Sequence, residues 1–186
     1  MGQIWRTYGD VLVAFAAVLP FAAAVVWALT RWRRRRGVPA AFRLSAAEVG
    51  IVVGTAPWIW MTMRPDPGGE RRFHLVPLLD LLALDLDAVV VQVVGNLLVF
   101  AALGFFLPMR WPAFASFWRV VAVAAVGSSV IESLQYALDL GRVSSVDDVL
   151  VNTLGAGLAA LLSRRWWLRG PVRESSTAAN GAPVDA

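Results

Sequence analysis

Three apolar runs carry polar side chains at helical spacing. Gln92 and Asn96 are four apart in one. Ser128, Glu132 and Gln135 recur at intervals of four and three in the next. Asp147, Asp148 and Asn152 open the third, and Arg142 stands in the short link before it. Residues three or four apart share a helix face, so each set forms one polar stripe. These residue types can do chemistry together. Glu132 and one of the aspartates can divide general acid and base roles, with Arg142 stabilising developing negative charge. They can equally bind: the planar guanidinium fork of Arg142 suits a phosphate or carboxylate, and the aspartates suit amines or sugar hydroxyls. Two aspartates with waters can hold a divalent cation.

A structural account competes at each position. Asn96, Gln135 and Asn152 are residue types that hold membrane helices together through hydrogen bonds worth about 0.6–2 kcal/mol each. Asp147 and Asp148 stand where carboxylates cap a helix N-terminus and favour its dipole. Glu132 and Arg142 can form a purely structural ion pair. Glu132 is the residue that packing explains least, because an ionisable group inside a membrane span is costly and marks function by default. Gly104, Gly127, Gly155 and Gly157 read as packing positions for close helix approach.

The composition narrows the chemistry. There is no cysteine, so disulfides, thiolate metal sites and thiol nucleophiles are excluded. All 17 basic residues are arginine, which removes P-loop and Schiff-base lysines. His74 is the single histidine, in a loop beside Arg71 and Arg72, and reads as a surface residue. No G-x-S-x-G and no set of three metal ligands is visible. We therefore expect neither a cofactor nor a metal, and the enzyme reading lacks an assembled nucleophile.

The elements that must position these residues are membrane helices. Of the 186 residues, 58% are apolar and 16% charged, and the mean hydropathy is +0.63, beyond the range of an ordinary soluble domain. Spans are expected at about Val11–Leu29, Ala46–Met63, Ala88–Leu107, Phe117–Leu138 and Asp147–Leu162. Each is near the ~20 residues needed to cross a bilayer. Arg31 and Arg33 to Arg36 follow the first run, whereas a signal peptide carries its charge before the apolar segment, so an uncleaved helix is expected. Pro57 is a candidate kink in the second span. The stretch from Leu75 to Asp85 is too short and acidic to span and reads as an interfacial or re-entrant piece on the outer face.

The fold class is all-α, a polytopic bundle of about five transmembrane helices. It divides into a first helix with its arginine-rich end (1–37), a second span and outer loop (38–74), a membrane domain (75–168), and a disordered tail (169–186). With the end of span one inside, twelve arginines face the cytoplasm and five face out; the reverse model inverts that ratio. The positive-inside rule thus predicts N-terminus out and C-terminus in. The pI near 10.9 then points to anionic lipid headgroups, not nucleic acid. In this topology Gln92 and Asn96, Glu132 and Gln135, and Asp147, Asp148 and Asn152 all fall in the outer halves of their helices. They are expected to face inward as one cluster, opening to the extracytoplasmic surface.

The ordered motifs Gly95-Asn96-Leu-Leu-Val-Phe100, Glu132-Ser-Leu-Gln135, Gly141-Arg142, Ser145-Val-Asp147-Asp148 and Asn152-Thr153-Leu-Gly155, preceded by His74-Leu-Val-Pro77-Leu, resemble the VanZ-like family over roughly Leu75–Leu162. The family is named for a membrane protein associated with teicoplanin resistance. The resemblance implies the bacterial cell envelope as the setting and offers no defined reaction. Asn96, Glu132, Gln135, Arg142, Asp147, Asp148 and Asn152 are the candidate functional cluster. Three functions compete. One is a non-enzymatic envelope protein binding a lipid-linked cell-wall precursor or a glycopeptide, for which a wide outward pocket and an unpaired Arg142 are expected. Another is an intramembrane enzyme acting on a lipid-linked substrate. The last is a small transporter, against which stand the absence of an internal repeat and the single depth of the polar groups.

Overall fold

The computed structural model describes residues 2–66, 69, 72–74 and 86–168. The expected interfacial piece at 75–85 and the expected disordered tail lie outside the described residues. Among the described residues five helices are long and apolar enough to cross a membrane, and the protein is an all-α, multi-pass membrane bundle. Helix α1 spans Gly2–Arg35 and α2 spans Ala41–Thr62. The third crossing is two helices in line, α3 (Leu86–Val99) and α4 (Ala101–Arg110). Helix α5 is Phe117–Ala137 and α6 is Val146–Leu168.

The expected boundaries were short at several ends. Helix α1 continues to Arg35 because arginine is a good helix former and a cation is favoured at a helix C-terminus. Its end is a Schellman turn: Gly37 N–H donates to Arg34 O (3.0 Å) and Val38 N–H to Arg33 O (3.0 Å). Gly37 sits at φ +69°, a conformation that costs glycine nothing. That turn sends α2 back along α1. Helix α2 passes through Pro57 without ending. The third crossing, expected as one helix, breaks at Phe100 (φ −111°, ψ 7°) and then runs through Pro108 to Arg110.

One feature departs from an all-helical reading of the loops. Strand β1 (Arg72–His74) pairs in parallel with β2 (Val143–Ser145), with Arg72 opposite Val143 and His74 opposite Ser145. The ladder is three residues long and ties the loop after α2 to the link before α6.

Helix α6 is the axis of the bundle, packing against α3, α4 and α5, while α1 packs mainly on α2. Small side chains make that central position possible. Gly155, Ala156, Gly157, Ala159, Ala160 and Ser163 are buried along α6. A Cβ added at Gly155 would land on the Leu97 carbonyl, and one at Gly104 on the Ala156 carbonyl, so two helix pairs touch backbone to backbone. Around these contacts Val99, Phe100, Leu107, Val120, Ala124, Ile131 and Ala156 form the apolar core.

Candidate functional site

Alternating helix direction gathers chain segments at two ends of the bundle, and the polar stripes meet at one of them. The end of α2 (Met61, Thr62), the start of α3 (Gln92, Asn96), the end of α5 (Glu132, Gln135) and the start of α6 (Asp148, Asn152) enclose a cavity of about 480 Å³. Its rim is made of two stitched loops. Asp66 N–H donates to Leu140 O (2.8 Å). Gly141, at φ +67°, leaves no room for a side chain beside Asp66 O.

Six of the seven candidate residues line this cavity: Asn96, Glu132, Gln135, Arg142, Asp148 and Asn152. Asp147 does not. It is buried beside the cavity in the first turn of α6, and its backbone N–H donates to Ser145 Oγ (3.2 Å). Ser145 is therefore the N-cap of α6, the role expected of an aspartate. The signal was present in the sequence as serine followed by two carboxylates, a helix-start pattern that begins the helix at Val146.

Each helix contributes a tether. Asn96 Nδ2 and, at 3.4 Å, Gln92 Nε2 donate to Asp148 Oδ1, joining α3 to α6. Gln135 Nε2 donates to Thr62 O (2.8 Å), joining α5 to α2. Asn152 Nδ2 donates to Ser128 Oγ (2.8 Å), joining α6 to α5. These are the interhelical bonds that the packing account requires. They do not exhaust the groups. Asn152 is 3% exposed, and its Oδ1 is buried with no hydrogen-bond partner among the described residues. An unmatched buried acceptor costs about 1–3 kcal/mol.

The expected Glu132–Arg142 ion pair is not formed. Glu132 is 5% exposed, and its Oε2 accepts from Ser145 N–H (3.1 Å) instead. Ser144 Oγ, also buried, donates to the Glu132 backbone carbonyl (3.0 Å). The β2 strand thus holds the end of α5 in place, a role not readable from Ser144 and Ser145 as loop residues. Arg142 is exposed and makes no hydrogen bond or ion pair among the described residues. Its charge attracts Glu132 only at longer range, while the Asp148 carboxylate repels it. The short link places the guanidinium at the rim and both carboxylates below it. Among the described residues no three His, Asp or Glu side chains gather as a metal site. The His74 side chain lies outside what is described.

The sequence motifs supply Asn96, Glu132, Gln135, Arg142, Asp148 and Asn152 to this cavity, and the VanZ/LLP1 family pattern matches residues 51–168, more than half of the chain. The chain belongs to the VanZ/LLP1 family. The matched region of this VanZ/LLP1 protein begins inside α2 and ends with α6, so it contains every wall of the cavity and omits α1. No curated protein and no solved structure matches the chain.

The opposite end holds a polar group that the sequence reading passed over. Glu48, near the start of α2, forms ion pairs with Arg33 at the end of α1 and Arg110 at the end of α4. Arg33 Nη1 also donates to Ser45 Oγ (2.9 Å). The clue was topological: all three residues fall at the same end of their predicted spans.

Proposed function

We propose that this VanZ/LLP1 member is a non-enzymatic protein of the bacterial cytoplasmic membrane whose polar cavity binds a lipid-linked cell-wall precursor or a glycopeptide at the outer surface. The observation that carries the reading is the cavity of about 480 Å³ lined by Asn96, Glu132, Gln135, Arg142, Asp148 and Asn152. Arg142 stands at its rim with no ion pair among the described residues, available to a phosphate or carboxylate through its planar fork. Below it, Glu132, Asp148 and the unmatched Asn152 oxygen offer acceptors to amines or sugar hydroxyls. The positive-inside rule supports an N-terminus outside and a C-terminus inside, which opens the cavity to the extracytoplasmic face. Envelope defence, including resistance to teicoplanin, is the activity this placement suits.

The enzyme alternative draws on one observation, that the carboxylates of Glu132 and Asp148 share the cavity and sense each other's charge. As an enzyme, the protein would convert a lipid-linked substrate, and Glu132→Gln would abolish conversion while leaving substrate bound.

The deciding experiment is teicoplanin and vancomycin susceptibility in a sensitive Gram-positive host. Wild type is compared with Glu132→Gln, Arg142→Ala and Asp148→Asn at matched membrane levels. We expect wild type to protect and the three variants to lose that protection. Equal protection by all four would make the cavity structural, and no protection by wild type would remove antibiotic defence from the function.

A further inference from the structure

The arginine-rich end of α1 carries a second arrangement that neither helix packing nor the polar cavity uses. Five consecutive positions on one face of α1, Trp27, Thr30, Arg31, Arg34 and Arg35, surround a pocket of about 340 Å³. Their spacing of three, four, seven and eight is that of a single helix stripe. Arg33 lies off that stripe and is consumed by Glu48 and Ser45. The side chains of Arg34 and Arg35, by contrast, make no hydrogen bond or ion pair among the described residues. Among the described residues Arg31 meets the Trp27 ring, 5.9 Å from its centroid. No carboxylate lines the pocket.

Two further facts point to what belongs there. Thr30 is 7% exposed, and its hydroxyl is buried with no hydrogen-bond partner among the described residues. Thr30, Trp27 and Arg34 also line a larger, almost wholly apolar groove of about 730 Å³ between α1, α2 and α4. Gly50 and Gly54 lie in its wall without side chains. A Cβ at Gly50 would strike the Phe106 ring, and one at Gly54 the Ala102 methyl. Helix α4 therefore closes on α2, and the groove lies between that pair and α1. From Phe15 to Arg34 the groove follows twenty residues of α1, a rise of about 28 Å at ~1.5 Å per residue, against ~15 Å for one leaflet's share of the hydrocarbon core.

A helix dipole explains why cations are tolerated at this end of α1. It does not explain a buried, unmatched hydroxyl among three uncommitted guanidinium groups, or an apolar slot that begins at the same residues. We propose that the slot binds one anionic phospholipid from the leaflet at the arginine-rich end. Arg31, Arg34 and Arg35 take its phosphate, the Thr30 hydroxyl donates to a phosphate or ester oxygen, and an acyl chain lies between α1 and the α2–α4 pair. The site is independent of the polar cavity and lies largely on α1, outside the family-matched region. It gives this chain a lipid-anchored first helix.

The test is native mass spectrometry of the full-length protein, with phosphatidylglycerol or phosphatidylcholine added in detergent. We expect one phosphatidylglycerol to be retained about tenfold better than phosphatidylcholine. The triple change Arg31→Gln, Arg34→Gln, Arg35→Gln should remove that preference, whereas Arg164→Gln with Arg165→Gln, also exposed and at the same end, should leave it intact. Ala23→Trp, which fills the groove, should lower retention of the lipid with the arginines unchanged. Glycerol phosphate, the headgroup without chains, should not displace the lipid. Equal loss in both arginine variants would reduce the effect to diffuse surface charge and overturn the site. Displacement by glycerol phosphate, or indifference to Ala23→Trp, would overturn the acyl slot. A dimer that dissociates on Ala23→Trp would give the groove to a second copy of the chain and overturn the lipid.

Discussion

The two ends of the bundle use polar residues in opposite ways. At the arginine-rich end the groups where α1, α2 and α4 meet are matched: Glu48 takes both Arg33 and Arg110, and Arg33 also reaches Ser45. The result is a closed clamp joining α1, α2 and α4. At the other end four helices converge, each with a tether, yet a cavity remains and groups are left over. Asn152 Oδ1 has no partner among the described residues, and Arg142 stands clear of Glu132. Matched charges hold helices together; unmatched ones, kept beside a cavity, are poised for something that is not part of the chain. Breaking each end in turn tests whether this distinction is real.

The largest effect is expected where both ends depend on one contact. Gly155→Leu drives a side chain into the Leu97 carbonyl, where even a Cβ does not fit. Helices α3 and α6 must part, which costs about 3 kcal/mol or more, the upper part of the range for overpacking. Unfolding of the purified protein in mixed micelles should show it as a large loss of stability. Gly157→Ala is the control, because a Cβ there meets the Phe117 ring at an ordinary 3.4 Å. If the two variants unfold alike, α6 is not the tightly packed axis that sets the two ends.

Next comes the clamp. Glu48→Gln removes the charge that both arginines share and leaves two partly buried guanidinium groups uncompensated. Hydrogen bonds to charged groups are worth about 1.5–3 kcal/mol, and the loss should fall in that range. It should appear in the same unfolding measurement, with antibiotic susceptibility unchanged at matched protein levels. A Glu48→Gln protein that stays stable but loses protection would reverse the roles of the two ends.

Much of this contrast was legible in the sequence, and the reasons are physical. Five apolar runs of bilayer length fixed the spans, because an unpaired backbone in lipid is too costly for any other spanning structure among these segments. Helical periodicity put Gln92 with Asn96 and Glu132 with Gln135, and alternating direction brought those pairs to one depth. Partner choice was harder to read. Glu132 and Arg142 have opposite charges and short separation, but a backbone N–H from Ser145 reaches the carboxylate first, because strand β2 pairs with β1, some seventy residues earlier in the chain. Asp147 and Asp148 are chemically identical neighbours. Only the position of the Ser145 cap decides which of them faces the cavity, and a one-residue error in the helix start exchanges them. The break at Phe100 left no trace in composition, since no proline or glycine sits there. The aromatic ring tucks against Gly127 instead.

The smallest change in stability, and the sharpest test of the comparison, is expected at Asn152. Asn152→Leu removes one hydrogen bond to Ser128, but it also removes an acceptor that is already unsatisfied. The Ser128 hydroxyl can turn to a carbonyl one turn back in its own helix. The two terms oppose each other, so the net cost should be about 1 kcal/mol or less, below that of Glu48→Gln in the same micelles. Protection against teicoplanin should nevertheless fall, because an amide that faces the cavity has been replaced by hydrocarbon. If Asn152→Leu destabilises the bundle as much as Glu48→Gln while the protein that remains folded still protects, the cavity end is matched after all. Asn152 would then be interhelical glue, and the two ends of the molecule would differ only in charge.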